Sequence, residues 1–543
     1  MRRLVIVVAG LMALAAPPAG AKVLRVGSFH GIRGQYHSVQ AAVDAAKPGD
    51  WILIGPGDYK TTTSRAPAGA ADHPAGVLIT KPRLRLRGMN RNTVIVDGTR
   101  RGRACNSIEA DQNFGPGNSD GSGPMGLNGI MIWKADNVWV QNLTACNFLG
   151  GTGTGGNEIW WNGGDGSAQI GGWGYLGSYL NATSTYFNND ETTAAEYGIF
   201  SSNWDGGTWY RDYTSNFNDS GFYIGACQQQ CNQTINDVWA EFSALGYSGS
   251  NSGGQLVVEN SQFDHNEDGF DTNSQNGDNP PPQDGACPNN GVSPITHTHS
   301  CWVFMNNYVH DNNNPNVPTA GLAGGGPVGT GMSLSGARDD TVMHNRFVHN
   351  GAWGTIIVPF PDSGPPCTGG TNSGAVCLYD PWGDAVIGNT YSGNGFFGNP
   401  TNGDIGLSNA EPGPTDCFSG NVDAAGLTSA PSNIEQMYPD CNGQSVPPSD
   451  SNPQSAQFTE EVACDSNLAL PGAGKAPCLP GDNYPRATNI VIAPLPPARA
   501  LTTMPNPCSG VPANPWCPGR TGKRGRRSRR PAGQLRASGS FWG

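Results

Sequence analysis

The chain has 543 residues, of which only 14% are charged, yet it carries 78 Gly and 43 Pro. Spread without pattern, that Gly and Pro content would mean disorder. Here Gly and Asn fall at corners between short apolar runs, and few amphipathic stretches leave little room for helices. The net charge of −12 conceals a split. Setting aside the basic residues of the N-terminus and of 520–543 leaves about 21 basic against 43 acidic residues. Such a body excludes nucleic-acid binding through its surface and repels acidic polysaccharides unless cations bridge the two.

Residues 1–21 read as a secretory signal, with Arg2 and Arg3 at the start, an apolar core over 4–16, and Ala19, Gly20 and Ala21 as a small-residue cleavage site. The apolar run is short and Pro17 and Pro18 interrupt it, which argues against a membrane anchor. No later segment has the length and apolarity of a transmembrane segment, so a secreted, extracellular protein is expected. Fourteen cysteines fit an oxidising compartment. Five pairs are close in sequence: Cys227/Cys231, Cys287/Cys301, Cys367/Cys377, Cys464/Cys478 and Cys508/Cys517. Cys105/Cys146 and Cys417/Cys441 would complete the set, although spacing alone leaves connectivity open. For Cys227 and Cys231 the alternative is a metal site, which lacks a matching second Cys or His pair.

After the signal, residues 36–46 predict a short helix with Ser38 as N-cap and Val39, Ala42, Val43 and Ala46 on one apolar face. A turn over 47–50 leads into the strand 51–54, then Pro56, Gly57, Asp58 and Tyr59, then strand pairs over 76–88 and 92–98. A stack of coils exposes an open sheet edge and an apolar shaft at its first coil, which such a helix would cover. Downstream, an aromatic recurs at Phe187, Phe217, Phe242, Phe263, Tyr308, Phe347 and Tyr391, usually followed by a polar corner and a Gly. The period is roughly 21 to 25 residues where nothing is inserted, in the range of solenoids. His265, His310 and His349 each follow that aromatic by two positions, which predicts a ladder in one generic corner column. A Gly-rich segment at 155–180 carries Trp160, Trp161, Trp173 and Tyr175, suited to sugar stacking or to strand packing. Insertions at 276–300, 315–329 and 361–376 are candidates for a binding face. From about 443 the chain turns rich in Pro, Ser and Ala without repeats, and 520–543 reads as a basic, disordered tail.

The opening resembles that of pectin-lyase-like proteins with PbH1 repeats. They begin with a Gln-Ala-Ala helix, a Pro-Gly-Asp turn, an apolar strand and a Pro-Gly-x-Tyr element, here 39–46, 48–50, 51–54 and 56–59. The resemblance spans roughly 35–430. It implies an all-β fold, a right-handed parallel β-helix solenoid with a short N-terminal capping helix. The domain reading that follows is signal 1–21, β-helix 22–442, irregular disulfide-containing segment 443–519 and tail 520–543. Activity is not implied, because that fold hosts lyases, hydrolases, esterases, epimerases and non-enzymes.

The most acidic coil contains Glu267, Asp268 and Asp271 around Gly269 and Phe270. Side-chain alternation puts Phe270 and Thr272 inward and Asp271 outward, with Tyr223 and Ser333 as its neighbours on flanking coils. Converging carboxylates suit a hard cation. The stretch is similar to the Asp-Asp-Gly-Trp-Asp element of one group of calcium-dependent pectate lyases, which implies Ca²⁺ held by Glu267, Asp268 and Asp271. That group removes the substrate proton with a Lys. This chain has none between Lys134 and Lys475, and Lys134 lies about five coils below, roughly 24 Å at ~4.8 Å per coil. Arg338, one coil above, is the nearest candidate base and would need its pKa pulled far down. The competing reading of these residues, and of Asp264, is corner chemistry in which Asp and Asn bond to nearby backbone. Two functions follow. One is a secreted polysaccharide-interacting protein, at its most specific a calcium-dependent polyuronate lyase whose partner is an acidic or cell-wall glycan. The other is a non-catalytic extracellular binding or structural β-helix, favoured by the missing Lys and by the absence of polygalacturonase, alginate epimerase and pectin esterase elements.

Overall fold

One coil consists of Leu256–Glu259, Gln262–Asp264 and Asp268–Asn273. Each strand pairs in parallel with its counterparts on the coils below and above, which builds three parallel sheets of 12, 11 and 11 strands. The chain is a right-handed parallel β-helix. The three sheets are called first, second and third in the order in which each coil visits them. The computed structural model describes residues 20–519 apart from 153–154, 165–168, 186–192, 278–279, 409–415, 440–452, 467–468, 471–473 and 476. The core of the predicted signal at 1–19, Phe187, Cys441 and the basic tail 520–543 lie outside the described residues.

Corners follow from side-chain chemistry. Arg211, Asp237, Asn260, Asn306 and His344 each take a positive φ where the chain turns from the first sheet to the second. Asn and Asp tolerate that conformation better than other side-chain-bearing residues. The next residue in the later coils is Asn307, Asn345, Asn389 and Asn421, which form a buried ladder. Asn345 accepts from Asn307 N at 2.9 Å and donates to Phe304 O at 2.9 Å and to Asn389 Oδ1 at 3.0 Å. A second ladder, Asn266, Asn312, Asn350 and Asn394, lines the corner between the second and third sheets. Both ladders satisfy backbone groups that a turn would otherwise leave unpaired in the core.

Both ends are covered. Ser38 Oγ accepts from Ala41 N at 3.3 Å and caps the helix Val39–Ala45, whose Val39, Ala42 and Val43 are buried on the first coil, as the sequence pattern predicted. At the other end the short helix Ile434–Met437 closes the shaft, with Ile434 and Tyr438 buried in the core and Tyr438 edge-on to Phe418 at 6.3 Å. A further helix at Pro453–Asp465, which composition did not suggest, lies on the outer face of the third sheet and packs Phe458 against Trp353 with ring centroids 5.6 Å apart. The segment read as irregular then runs back down the solenoid. Val491 N donates to Asn316 O, Ala493 N to Asn216 Oδ1, Met504 N to Asn142 Oδ1, and Trp516 Nε1 to Ile32 O near the first coil. Disulfides join Cys105–Cys146, Cys227–Cys231, Cys287–Cys301, Cys367–Cys377, Cys464–Cys478 and Cys508–Cys517. Among the described residues no helix is long and apolar enough to cross a membrane.

Candidate functional site

The third sheet carries the acidic coil. Phe270 is buried in the shaft, and Asp271 stands in the outward column Trp160, Phe200, Tyr223, Ser248, Asp271 and Ser333. Ser333 is the predicted neighbour above. Below, Ser248 intervenes, so Tyr223 lies two coils from Asp271 rather than one. The intervening strand is Leu245–Ser250.

Asp268 and Asp271 are brought together, but both are buried. Ser333 Oγ lies 2.6 Å from Asp271 Oδ1 and 3.2 Å from Asp268 Oδ2. Asp271 also accepts from Ser335 Oγ at 2.8 Å and Asn273 Nδ2 at 2.6 Å, and Asp268 from Phe270 N at 3.1 Å. Burial lifts the Asp268 carboxyl well above its ordinary range, and the nearby Asp271 lifts it further. One hydroxyl has one proton to give, and the closer Asp271 takes it. The longer Asp268 contact, at 3.2 Å against 2.6 Å, is the weaker share of that proton. Glu267 is half-buried on the preceding corner. Sequence reasoning missed a further carboxyl here. Asp465, on the C-terminal helix, is buried and raised mainly by burial, with Arg486 opposing and Glu267 and Asp268 adding to the rise.

Arg338 sits at the corner between the third and first sheets, where the loops 274–301 and 359–384 meet. Its guanidinium lies 3.4 Å over the Trp382 ring, and Nη2 donates to Gly369 O at 2.8 Å. Burial lowers its pKa, and the carboxylates acting on it are Asp284, Asp380, Asp384 and Asp339. Neither Asp268 nor Asp271 is among the partners recorded for it. Lys134 is indeed five coils below Asp271 along the third sheet. In the aromatic segment Trp161 is core, stacked on Tyr175 at 4.6 Å, and Trp160 is buried between His73 and Phe200. Trp173 alone of the four is exposed.

The second sheet holds a constellation that the repeat reading misaligned. The inward column there is Ala240, Phe263, Val309 and Phe347, so Tyr308 faces outward. Counting from Tyr308 placed His310 with His265 and His349. In the structure His310 is in register with Asp264 and Glu241 instead, while His265 is the corner residue after Asp264. A one-residue slip moves every side chain to the other face, and the aromatic label could not distinguish Tyr308 from an inward Phe. Beside this column lies a groove of about 470 Å³, lined by Arg211, Asp237, Trp239, Asn260, Gln262 and Tyr308 and bordered by residues 500–502 of the returning strap. Trp239 and Tyr308 are half-exposed in it, and Tyr213 packs edge-on against Trp239 at 5.1 Å. Arg346, one coil further, lies 4.5 Å over the Tyr308 ring.

No family model and no curated protein matches the chain. Among solved structures it is similar to the A-module of mannuronan C-5 epimerase AlgE4 of Azotobacter vinelandii, at 12% identity over 72% of this chain and 91% of that one, TM-score 0.41. It is also similar to pectate lyase Pel9A (13% identity, 81% and 90% covered, TM-score 0.34). A third likeness is to a mannuronic acid specific family 6 polysaccharide lyase from human gut microbiota (10%, 74% and 80%, TM-score 0.36). The solenoid is established by this chain's own strand register.

Proposed function

We propose that the chain is an exported, polysaccharide-interacting β-helix protein whose glycan surface is the groove between the first and second sheets. The observation that carries this is the line Trp239, Gln262, Tyr308 and Arg346 on consecutive coils, which alternates ring faces with polar groups along an open trough. Coil spacing of ~4.8 Å matches one group to about one sugar of an extended chain. Half-exposed Trp and Tyr offer large, stiff apolar faces with a polar edge, the residue types that dominate binding hot spots. Arg346 supplies exposed positive charge in an otherwise acidic body, while Arg211 is paired with Asp237 at 2.7 Å, and that charge favours a polyuronate over a neutral glycan. Six disulfides among the described residues accord with the extracellular location.

Affinity measurements with polyuronate and neutral cell-wall oligosaccharides test the reading. Trp239→Ala and Tyr308→Ala are each expected to weaken polyuronate binding about tenfold. Equal binding by wild type and the double variant would sink it.

The more specific reading, a calcium-dependent polyuronate lyase, assigns Ca²⁺ to Glu267, Asp268 and Asp271 and the base to Arg338. The hydrogen bonds that Asp268 and Asp271 receive, and the stacking of Arg338 on Trp382, favour the non-catalytic reading. Calcium titration by calorimetry decides: wild type and Asp268→Ala/Asp271→Ala are expected to give the same weak signal. Micromolar-to-millimolar binding abolished by the double substitution would restore the lyase assignment and call for a search for unsaturated sugar products.

A further inference from the structure

On the outward side of the second sheet, Glu241, Asp264 and His310 occupy the same strand position on three successive coils. His265, turned by its positive φ, places Nδ1 2.6 Å from Asp264 Oδ2. Donor atoms of Glu241, Asp264 and His265 all lie within 4.8 Å of one another. An acidic cluster of this kind is common at β-helix corners, and His310 is what sets this one apart. It is 9% exposed, and its buried Nε2 has no hydrogen-bond partner yet stands 3.9 Å from Asp264 Oδ1. Its other nitrogen, Nδ1, is 2.7 Å from Asp311 Oδ2, and His349 holds the second oxygen of Asp311 at 2.5 Å. In the neutral ring a carboxylate at Nδ1 keeps the proton on that nitrogen, and Nε2 presents its lone pair. A lone pair aimed at a buried carboxylate is unfavourable unless positive charge lies between them.

We propose that Glu241, Asp264, His265 and His310 bind a first-row transition-metal dication of the Zn²⁺ class. Two imidazoles with two carboxylates suit such a borderline metal, whereas Ca²⁺ takes six or more oxygen ligands. The carboxylate behind His310 is the outer partner that orients ligating histidines. On binding, the proton between His265 Nδ1 and Asp264 is released to solvent, since imidazole ligates in its unprotonated form. The groove residues anchor the ligands from behind. Trp239 Nε1 and Gln262 Nε2 donate to Asp264 Oδ1 at 2.7 and 2.9 Å, and Tyr213 Oη donates to Glu241 Oε1 at 2.8 Å. The Tyr308 ring stacks on His310 at 3.9 Å. Metal binding thus stiffens the trough floor, although the site stands independently of the glycan reading.

The test uses the whole secreted protein stripped of metal, titrated with Zn²⁺ by calorimetry and loaded with Co²⁺ for visible absorption. We expect one Zn²⁺ per chain, no competition from Ca²⁺, and Co²⁺ d–d bands of nitrogen–oxygen coordination. His310→Ala and His265→Ala should each lose at least about tenfold in Zn²⁺ affinity, and Asp311→Asn about tenfold. His299→Ala, outside the cluster, should bind as wild type. Unchanged Zn²⁺ affinity in His310→Ala, or wild-type protein without Co²⁺ bands, overturns the proposal. Should His310→Ala fail to fold, the wild-type Co²⁺ spectrum decides alone, its bands supporting the site and their absence rejecting it.

Discussion

Raising the pH from about 4 to about 7 is expected to cost the folded protein about 4 kcal/mol through Asp212 alone. Asp212 is buried, accepting from Leu180 N at 2.8 Å and Tyr210 N at 3.2 Å. Burial, the largest influence, outweighs these bonds and the nearby Arg91 and pushes its carboxyl up from 3.8 to about 7. In the unfolded chain the same carboxyl releases its proton near pH 4. Between those values the unfolded state has given up a proton that the folded state keeps, so each rise in pH favours unfolding. Below pH 4 both states are protonated, above about 7 both are ionised, and the slope vanishes. Asp339, pushed up to about 6 chiefly by burial, adds in the same direction over a narrower window. Denaturant midpoints between pH 4 and 8 should fall with pH, and Asp212→Asn should flatten the profile. High salt separates this local effect from the general repulsion of an acidic body, because screening reaches surface charges but not a buried one. A wild-type profile without slope would reject the buried-carboxyl account.

Gly269→Ala is the substitution expected to damage the solenoid most, by about 3 kcal/mol. Gly246, Gly269 and Gly331 stack at one position of the third sheet. A methyl on Gly269 would lie 2.4 Å from Gly331 O, 2.7 Å from Asn312 Nδ2 and 3.0 Å from Val309 Cγ1. The first of these is backbone and the second a rung of the Asn ladder, so neither can swing away. Gly246 meets Gly269 O at 2.4 Å in the same way, so the column propagates from coil to coil. Gly277→Ala, with nothing within 4 Å of the added atom, is the control and should leave stability unchanged. Thermal unfolding of the two variants checks the contrast, and equal melting temperatures would show that the coils can separate to admit a methyl.

Features that depend on near neighbours in the chain were readable from the residues. The Ser38 cap and five disulfides between close cysteines each involve partners a few to fourteen residues apart. So was the inward Phe270 and outward Asp271, because alternation in a strand is local. The state of Asp271 was not readable, since Ser333 and Ser335 arrive from 62 and 64 residues away and turn an apparent ligand into an acceptor of protein hydrogen bonds. Nor was the returning strap, whose contacts join Ala493 to Asn216 and Met504 to Asn142 through no pattern of its own.

By itself, then, the sequence determined an all-β solenoid, its N-terminal cap and the Asn and Gly corners at which its coils turn. Those properties follow from local conformational preference and side-chain period. Only the tertiary structure decided which side chains share a column. Ser243 and Asn266 are one coil and 23 residues apart, whereas Asn266 and Asn312 are one coil and 46 residues apart because a loop intervenes. Insertions of unequal length erase the spacing that would reveal register, and hydrogen bonding between stacked strands restores it. That pairing set Tyr308 outward and Val309 inward, and so put His310 in strand register with Asp264 instead of with His265.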